Sequence, residues 1–227
     1  HIENFVFVDW RQDMNTIHLD NTLPNVFLSK PDLQSDIWRR QVCFEKGNTY
    51  LIEAGSGTGK SSLCSFIIGS RQDFDGKILF DGKDTSRLGT KEWSKLRQNN
   101  ISLLFQELRL FPELTAMENV EIKNSLTHFK SKQEILNWFE ILGIADKMSS
   151  PVKLMSFGQQ QRVAMIRALV QPFDFLLADE PVSHLDEKNS QIMADIMMEE
   201  VRRQGAGVII TSIGKHMALP YNKVFSL

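Results

Sequence analysis

The sequence predicts an α/β fold: a parallel sheet with helices on its faces, an antiparallel β subdomain and an inserted α-helical subdomain. Three observations carry this. Short apolar runs at Thr49–Ala54, Phe173–Ala178 and Gly207–Thr211 read as buried strands separated by helical segments, the pattern of parallel strands joined by crossovers. The first run enters a glycine-rich turn and then the apolar segment Ser61–Ile68, which gives strand, loop and helix. Lys77–Gly82 is a strand ending on Asp-Gly, the signal of an antiparallel hairpin.

Composition narrows the function classes. The 227 residues are 42% hydrophobic and 24% charged, the balance of a folded globular protein rather than a disordered one. A net charge of -2 gives no electrostatic reason to expect a nucleic-acid binder. Cys43 and Cys64 lack metal-site spacing and are expected to be buried, reduced thiols. No apolar run approaches the roughly 18–20 residues that cross a bilayer. The start, HIENFVFVDWRQD, lacks the basic-then-apolar order of a signal peptide, so any work at a membrane would be peripheral. Met14 opens MNTIHLDN; residues 1–16 are read as an N-terminal extension and 17–227 as one domain.

Within that domain, 17–90 and 155–227 form the core, and about 91–154 reads as the helical insertion without strands. Ser131-Lys-Gln-Glu134 is a capping box ahead of the apolar face Ile135, Leu136, Trp138, Phe139 and Leu142, with Gly143 as the stop. Thr115-Ala-Met-Glu118 is a second capping box, opening a short helix.

The chemistry is concentrated in a few motifs. Ala54-Gly55-Ser56-Gly57-Thr58-Gly59-Lys60-Ser61, followed by Ser62, fits the phosphate-loop pattern G-x-x-x-x-G-K-[ST] apart from Ala54. Its glycines let successive N–H groups face one anion at a helix N-terminus. Lys60 would reach the β- and γ-phosphates and the Ser61 hydroxyl would ligate Mg²⁺. Asp179 and Glu180 follow a buried strand at its carboxyl end, where α/β sheets place ligands. Adjacent side chains on extended backbone point opposite ways, so one acid would serve the metal shell and the other the attacking water. Ser156 and Gln159 form an S-x-x-Q capping box at another helix start.

Between the two phosphate-site motifs, Leu154-Met-Ser-Phe-Gly-Gln-Gln-Gln-Arg162 resembles the LSGGQ signature of ATP-binding-cassette (ABC) ATPases, a P-loop NTPase family with a RecA-like core. The resemblance covers roughly residues 17–227 and is closest to the lipoprotein-release, macrolide-export and cell-division branch. It implies that Ser156, Phe157, Gly158 and Gln159 contact ATP held by the other copy of a homodimer. It also implies that Gln106 touches Mg²⁺ or water and that Asp186, in Ser183-His-Leu-Asp186, aligns the opposing site. Phe27 stands where the family often stacks an aromatic on adenine.

Two departures stand out. Phe157 replaces a signature glycine, and Ser212 occupies the place of a histidine that contacts the γ-phosphate. Ser212 can hydrogen-bond but carries no charge. His216 is expected to face solvent at a helix start. The implied protein is an ATPase subunit on the cytoplasmic face of a membrane, with ATP and Mg²⁺, driving a separate integral membrane permease. Leu108, Leu110 and Phe111 are candidates for the permease contact. The rival reading is an ATP-binding scaffold with weak hydrolysis.

Overall fold

A computed structural model describes residues 11–227. Along the chain come β1 (Thr16–Pro24), β2 (Gln41–Glu45), β3 (Thr49–Glu53), α1 (Lys60–Ile67), β4 (Phe74–Phe80) and β5 (Lys83–Asp84). Next are α2 (Thr90–Asn99), β6 (Ile101–Leu104), α3 (Ala116–Asn124), α4 (Lys132–Ile141) and α5 (Phe157–Leu169). The chain closes with β7 (Phe175–Asp179), α6 (Glu187–Gln204), β8 (Gly207–Ser212) and β9 (Lys223–Ser226).

Two sheets result. The antiparallel one runs β2-β1-β4-β5, and the parallel one runs β6-β7-β8-β3-β9. β7 and β8 are buried along their whole length, as expected of central parallel strands covered on both faces. The alternation of side chains divides them between two cores. Leu176, Ala178, Val208 and Ile210 pack toward α5 and α6, while Phe175, Leu177 and Ile209 pack toward α1 and the antiparallel sheet. The predicted hairpin joins β4 to β5 through Asp81 and Gly82, whose φ values of 49° and 80° give the doubly left-handed turn that matches strand twist. All three predicted capping boxes form, at Thr115, Ser131 and Ser156, and Gly143 ends its helix with φ 70°.

Four expectations are corrected. Residues 91–154 do contain a strand: β6 pairs in parallel with β7 and forms one edge of the central sheet, and α2 precedes it, so the helical insertion begins after β6. Only four residues long and entered directly from α2, β6 has too little sequence to show a period. Residues 11–14 are part of the fold, since Met14 is 3% exposed and Arg11 pairs with Asp174 at 2.6 Å. Cys43 is exposed, because β2 turns Val42 and Phe44 inward; Cys64 is buried as expected. His216 lies in a loop, not at a helix start, exposed and with its ring against Tyr221.

Asp174 organises the end of the parallel sheet remote from the strands' carboxyl ends. It accepts from Met14 N–H (2.9 Å) and Asn100 Nδ2 (2.8 Å) and pairs with Lys46 (2.8 Å) and Arg11. Burial alone would raise its pKa, but these partners outweigh burial and hold it below the ordinary carboxylate value. A depressed native pKa contributes stability above the unfolded value of about 3.9 that is lost as pH falls through the native one. Asp174→Asn should therefore cost about 2–3 kcal/mol at pH 7. Denaturant unfolding should show the gap to wild type closing below about pH 4. At Gly69, with φ 72°, an added Cβ would lie 2.5 Å from the Trp93 ring. Gly69→Ala should lower stability by about 1–3 kcal/mol in the same assay.

Candidate functional site

β3 delivers the chain to the carboxyl edge of the parallel sheet, where Ala54 N–H donates to Ser212 O at 2.9 Å. The loop then needs left-handed backbone at Gly57 (φ 73°) and Gly59 (φ 93°), while Ala54 is outside the left-handed region, which is why a side chain is tolerated there. Trp38 Nε1 donates to Thr58 O at 2.9 Å, and Thr58 Oγ1 donates to Gly55 O at 2.8 Å, so the loop is held from both sides. Gly59 caps α1 without a side-chain acceptor, leaving the first-turn N–H groups to face an anion.

Lys60, 6% exposed, is the centre of the site. Its Nζ forms a short ion pair with Asp179 and lies 3.0 Å from Glu180 Oε1 and 3.1 Å from Gln106 Oε1. Ser61 Oγ donates to Asp179 at 3.0 Å and is 3.2 Å from Gln106 Oε1. Burial pulls the Lys60 ammonium down, but hydrogen bonds and charge from Asp179 and then Glu180 outweigh it, leaving the pKa raised. The lysine is thus held fully charged.

Both acids reach Lys60, which corrects the expectation that they point opposite ways. Alternation requires extended backbone, and Glu180 has φ 49°. The chain leaves the strand at that residue, although Glu180 N–H still donates to Thr211 O at 2.9 Å. Thr211 itself was not anticipated: fully buried, its Oγ1 donates to Asp179 at 2.7 Å and fixes that carboxylate. Its only sequence signal is a hydroxyl at the end of an apolar strand. Trp38 carried no signal, because its contact with the loop is tertiary.

Other expected site residues lie elsewhere. Phe27 is 7% exposed and sits in the core beside Gly59, with no open face for a base. Ser212 is 2% exposed and its hydroxyl donates to Lys215 O in a tight turn, and no described contact joins it to Lys60. Ser62 Oγ accepts from Arg71 at 2.9 Å. Leu108 is buried in the subdomain and Leu110 packs against it, leaving Phe111, 54% exposed, on the surface. Ser156 caps α5, with its Oγ accepting from Gln159 N–H at 3.2 Å and its own N–H donating to Gln159 Oε1 at 2.9 Å. Asp186 caps α6 by accepting from Asn189 N–H at 2.7 Å. No described contact joins Ser156, Phe157, Gly158, Gln159 or Asp186 to Lys60 within one chain. Arg167, near the other end of α5, donates to the carbonyls of Leu108 and Arg109, both in left-handed backbone.

The site can therefore hold a polyphosphate on loop N–H groups and Lys60, with oxygen ligands alongside and a carboxylate in reserve. The profile of the ABC transporter family matches residues 39–183. The chain is 33% identical over 181 residues to the ABC transporter ATP-binding protein YclH of Bacillus subtilis, covering 78% of this chain and 79% of that one. It is 33% identical to the lipoprotein-releasing system ATP-binding protein LolD of Geobacter metallireducens, covering 76% and 78%. Against the macrolide export ATP-binding/permease protein MacB of Shewanella sp. the identity is 30%, over 80% of this chain but 28% of that longer one. In structure it resembles the dimeric ABC transporter cassette MJ0796, with TM-score 0.74, 26% identity and coverage of 86% and 87%. The same cassette in a post-hydrolysis state bound to ADP and Pi gives a TM-score of 0.70. The P-loop fold, the motif order and these likenesses agree: the chain belongs to the ABC transporter ATP-binding family.

Proposed function

We propose that this chain hydrolyses ATP as a subunit in which two copies close on two ATP molecules and drive a separate integral membrane permease. The convergence of Lys60, Ser61, Gln106, Asp179 and Glu180 at the end of the phosphate loop carries the reading. With ATP bound, Lys60 exchanges its carboxylate partners for β- and γ-phosphate oxygens, which frees Glu180. Glu180 then orients water for in-line attack and takes its proton, while Lys60 and the loop N–H groups stabilise charge on the transferred phosphoryl. Thr211 keeps Asp179 in place.

The residues also fit Mg²⁺. Ser61 Oγ, Gln106 Oε1 and Asp179 form an all-oxygen set with one carboxylate, the hard donors that Mg²⁺ takes together with water and phosphate. When bound, the ion neutralises phosphate charge and orients the triphosphate. That no cluster of three or more His, Cys, Asp or Glu occurs among the described residues accords with such a sparse protein shell.

Among the described residues no helix is long and apolar enough to cross a membrane, which suits a peripheral subunit on the cytoplasmic face. The permease contact is assigned to a cleft between β6 and α3, lined by Leu103, Phe105, Phe111, Ile122 and Leu126. The engagement of Ser212 in that turn favours a second reading, an ATP-binding scaffold whose isolated chain hydrolyses slowly. Phosphate release with and without the copurified permease separates the two.

Glu180→Gln should reduce steady-state phosphate release by about 100-fold or more. ATP binding should persist, and light scattering should detect an ATP-stabilised dimer; a monomer with normal turnover refutes the role. Phe111→Asp should reduce recovery of the membrane partner in affinity purification while nucleotide binding by the isolated chain stays at the wild-type level.

A further inference from the structure

The turn after the catalytic acids and the start of α5 are built as one piece. His184 is exposed, and its ring lies on that of Phe157 with centroids 4.3 Å apart. Gly158 leaves no room for a Cβ, which would lie 2.9 Å from His184 O, so the turn rests directly on the helix. Gln161, 1% exposed, supports it from behind. Its Oε1 accepts from His184 N–H at 3.2 Å, and its Nε2 faces Glu180 O at 3.4 Å and Ser183 Oγ at 3.2 Å. On the opposite side Lys215 Nζ donates to Leu185 O at 2.5 Å.

This network engages the Nδ1 edge of the imidazole and leaves the other edge open. A backbone N–H can only donate, so Gln161 presents its oxygen to His184 and its NH₂ to Glu180 O and Ser183. Ser183 Oγ, accepting from Gln161, has its own hydrogen for His184 Nδ1, 2.9 Å away. With the Ser183 hydroxyl donating to Nδ1, the neutral ring carries its proton on Nε2, an atom that no described contact uses. An oriented N–H donor therefore stands at the surface beside the capped start of α5, held by the same amide that grips the backbone of Glu180.

The geometry points to His184 as a γ-phosphate ligand delivered in trans, its Nε2–H donating to the phosphate held on the partner copy's Lys60 loop. The inference rests on the two-copy reading proposed above, in which the α5 start of one copy meets the ATP of the other. Within one chain, Lys60 is the only cation that the described contacts bring to Asp179 and Glu180, and the Ser212 hydroxyl is engaged by Lys215 O. A further side-chain donor for charge developing on the phosphoryl group can be supplied by the partner copy. The described contacts of His184 are with Phe157, Ser183 and Gln161, beside the α5 start that the two-copy reading brings to the partner's ATP. Phe157, where the family has glycine, is the platform that carries it.

The test separates a donor from a stacking partner. His184→Phe keeps an aromatic ring for Phe157 but has no N–H, and His184→Ala lacks both. Single-turnover phosphate release should fall about 100-fold in each, the loss typical of removing one oxyanion donor. Binding of ATP by the monomer should be unchanged. Mixing a Lys60→Ala copy with a His184→Phe copy should restore release, because the site on the intact loop then receives His184 from its partner. A His184→Phe protein with the wild-type rate overturns the assignment. So does a mixture no more active than its components when Lys60→Ala mixed with wild type is active. Light scattering tests the underlying reading separately: a wild type that stays monomeric with ATP and Mg²⁺ removes both the reading and the inference, whereas a dimerising His184→Phe protein with full activity removes the inference alone.

Discussion

The structure depends on a buried lysine facing two acids. Lys60 stands at the first turn of α1, Asp179 and Glu180 at the end of β7, and their attraction joins the helix to the strand where both must meet a triphosphate. A buried ammonium is tolerable only when paired, and a paired ammonium is one that phosphate oxygens can take over. The same charge that holds the loop to the strand is, on the proposed reading, the one that phosphate oxygens engage. Thr211 and Gln106 refine the arrangement by fixing one carboxylate and adding a neutral oxygen.

Legibility followed the range of the forces involved. The strand, loop and helix around Lys60 could be read because each part is local: an apolar run, glycines at left-handed positions and an apolar helix. The capping boxes were equally local, each closing within four residues. β6 was hidden because four residues flanked by a helix carry no period, and its identity as a strand comes from its pairing with β7. The site divides the same way. Asp179 and Glu180 were found by position, yet their shared contact with Lys60 depends on one residue's φ, which no spacing rule reports.

Residues assigned by resemblance alone divide: Gln106 joins Lys60 and Ser61, whereas Phe27 and Ser212 do not. Phe27 took a core position because the loop beside it leaves no open face, and Trp38 does the supporting work at Thr58. Ser212 marks a true chemical difference, since its hydroxyl closes a turn rather than facing phosphate.

One helix touches both ends of this machinery. Arg167 ties α5 to the carbonyls of Leu108 and Arg109, just ahead of the outward-facing Phe111, while Gln161, about one and two-thirds turns earlier, holds Glu180 and His184. At Gly158 the helix backbone also rests directly against the backbone of His184. On the proposed reading, a displacement at the Phe111 loop would pass through Arg167 to α5 and through Gln161 to the backbone of Glu180. Engagement of a partner and the setting of the acid would then share one helix.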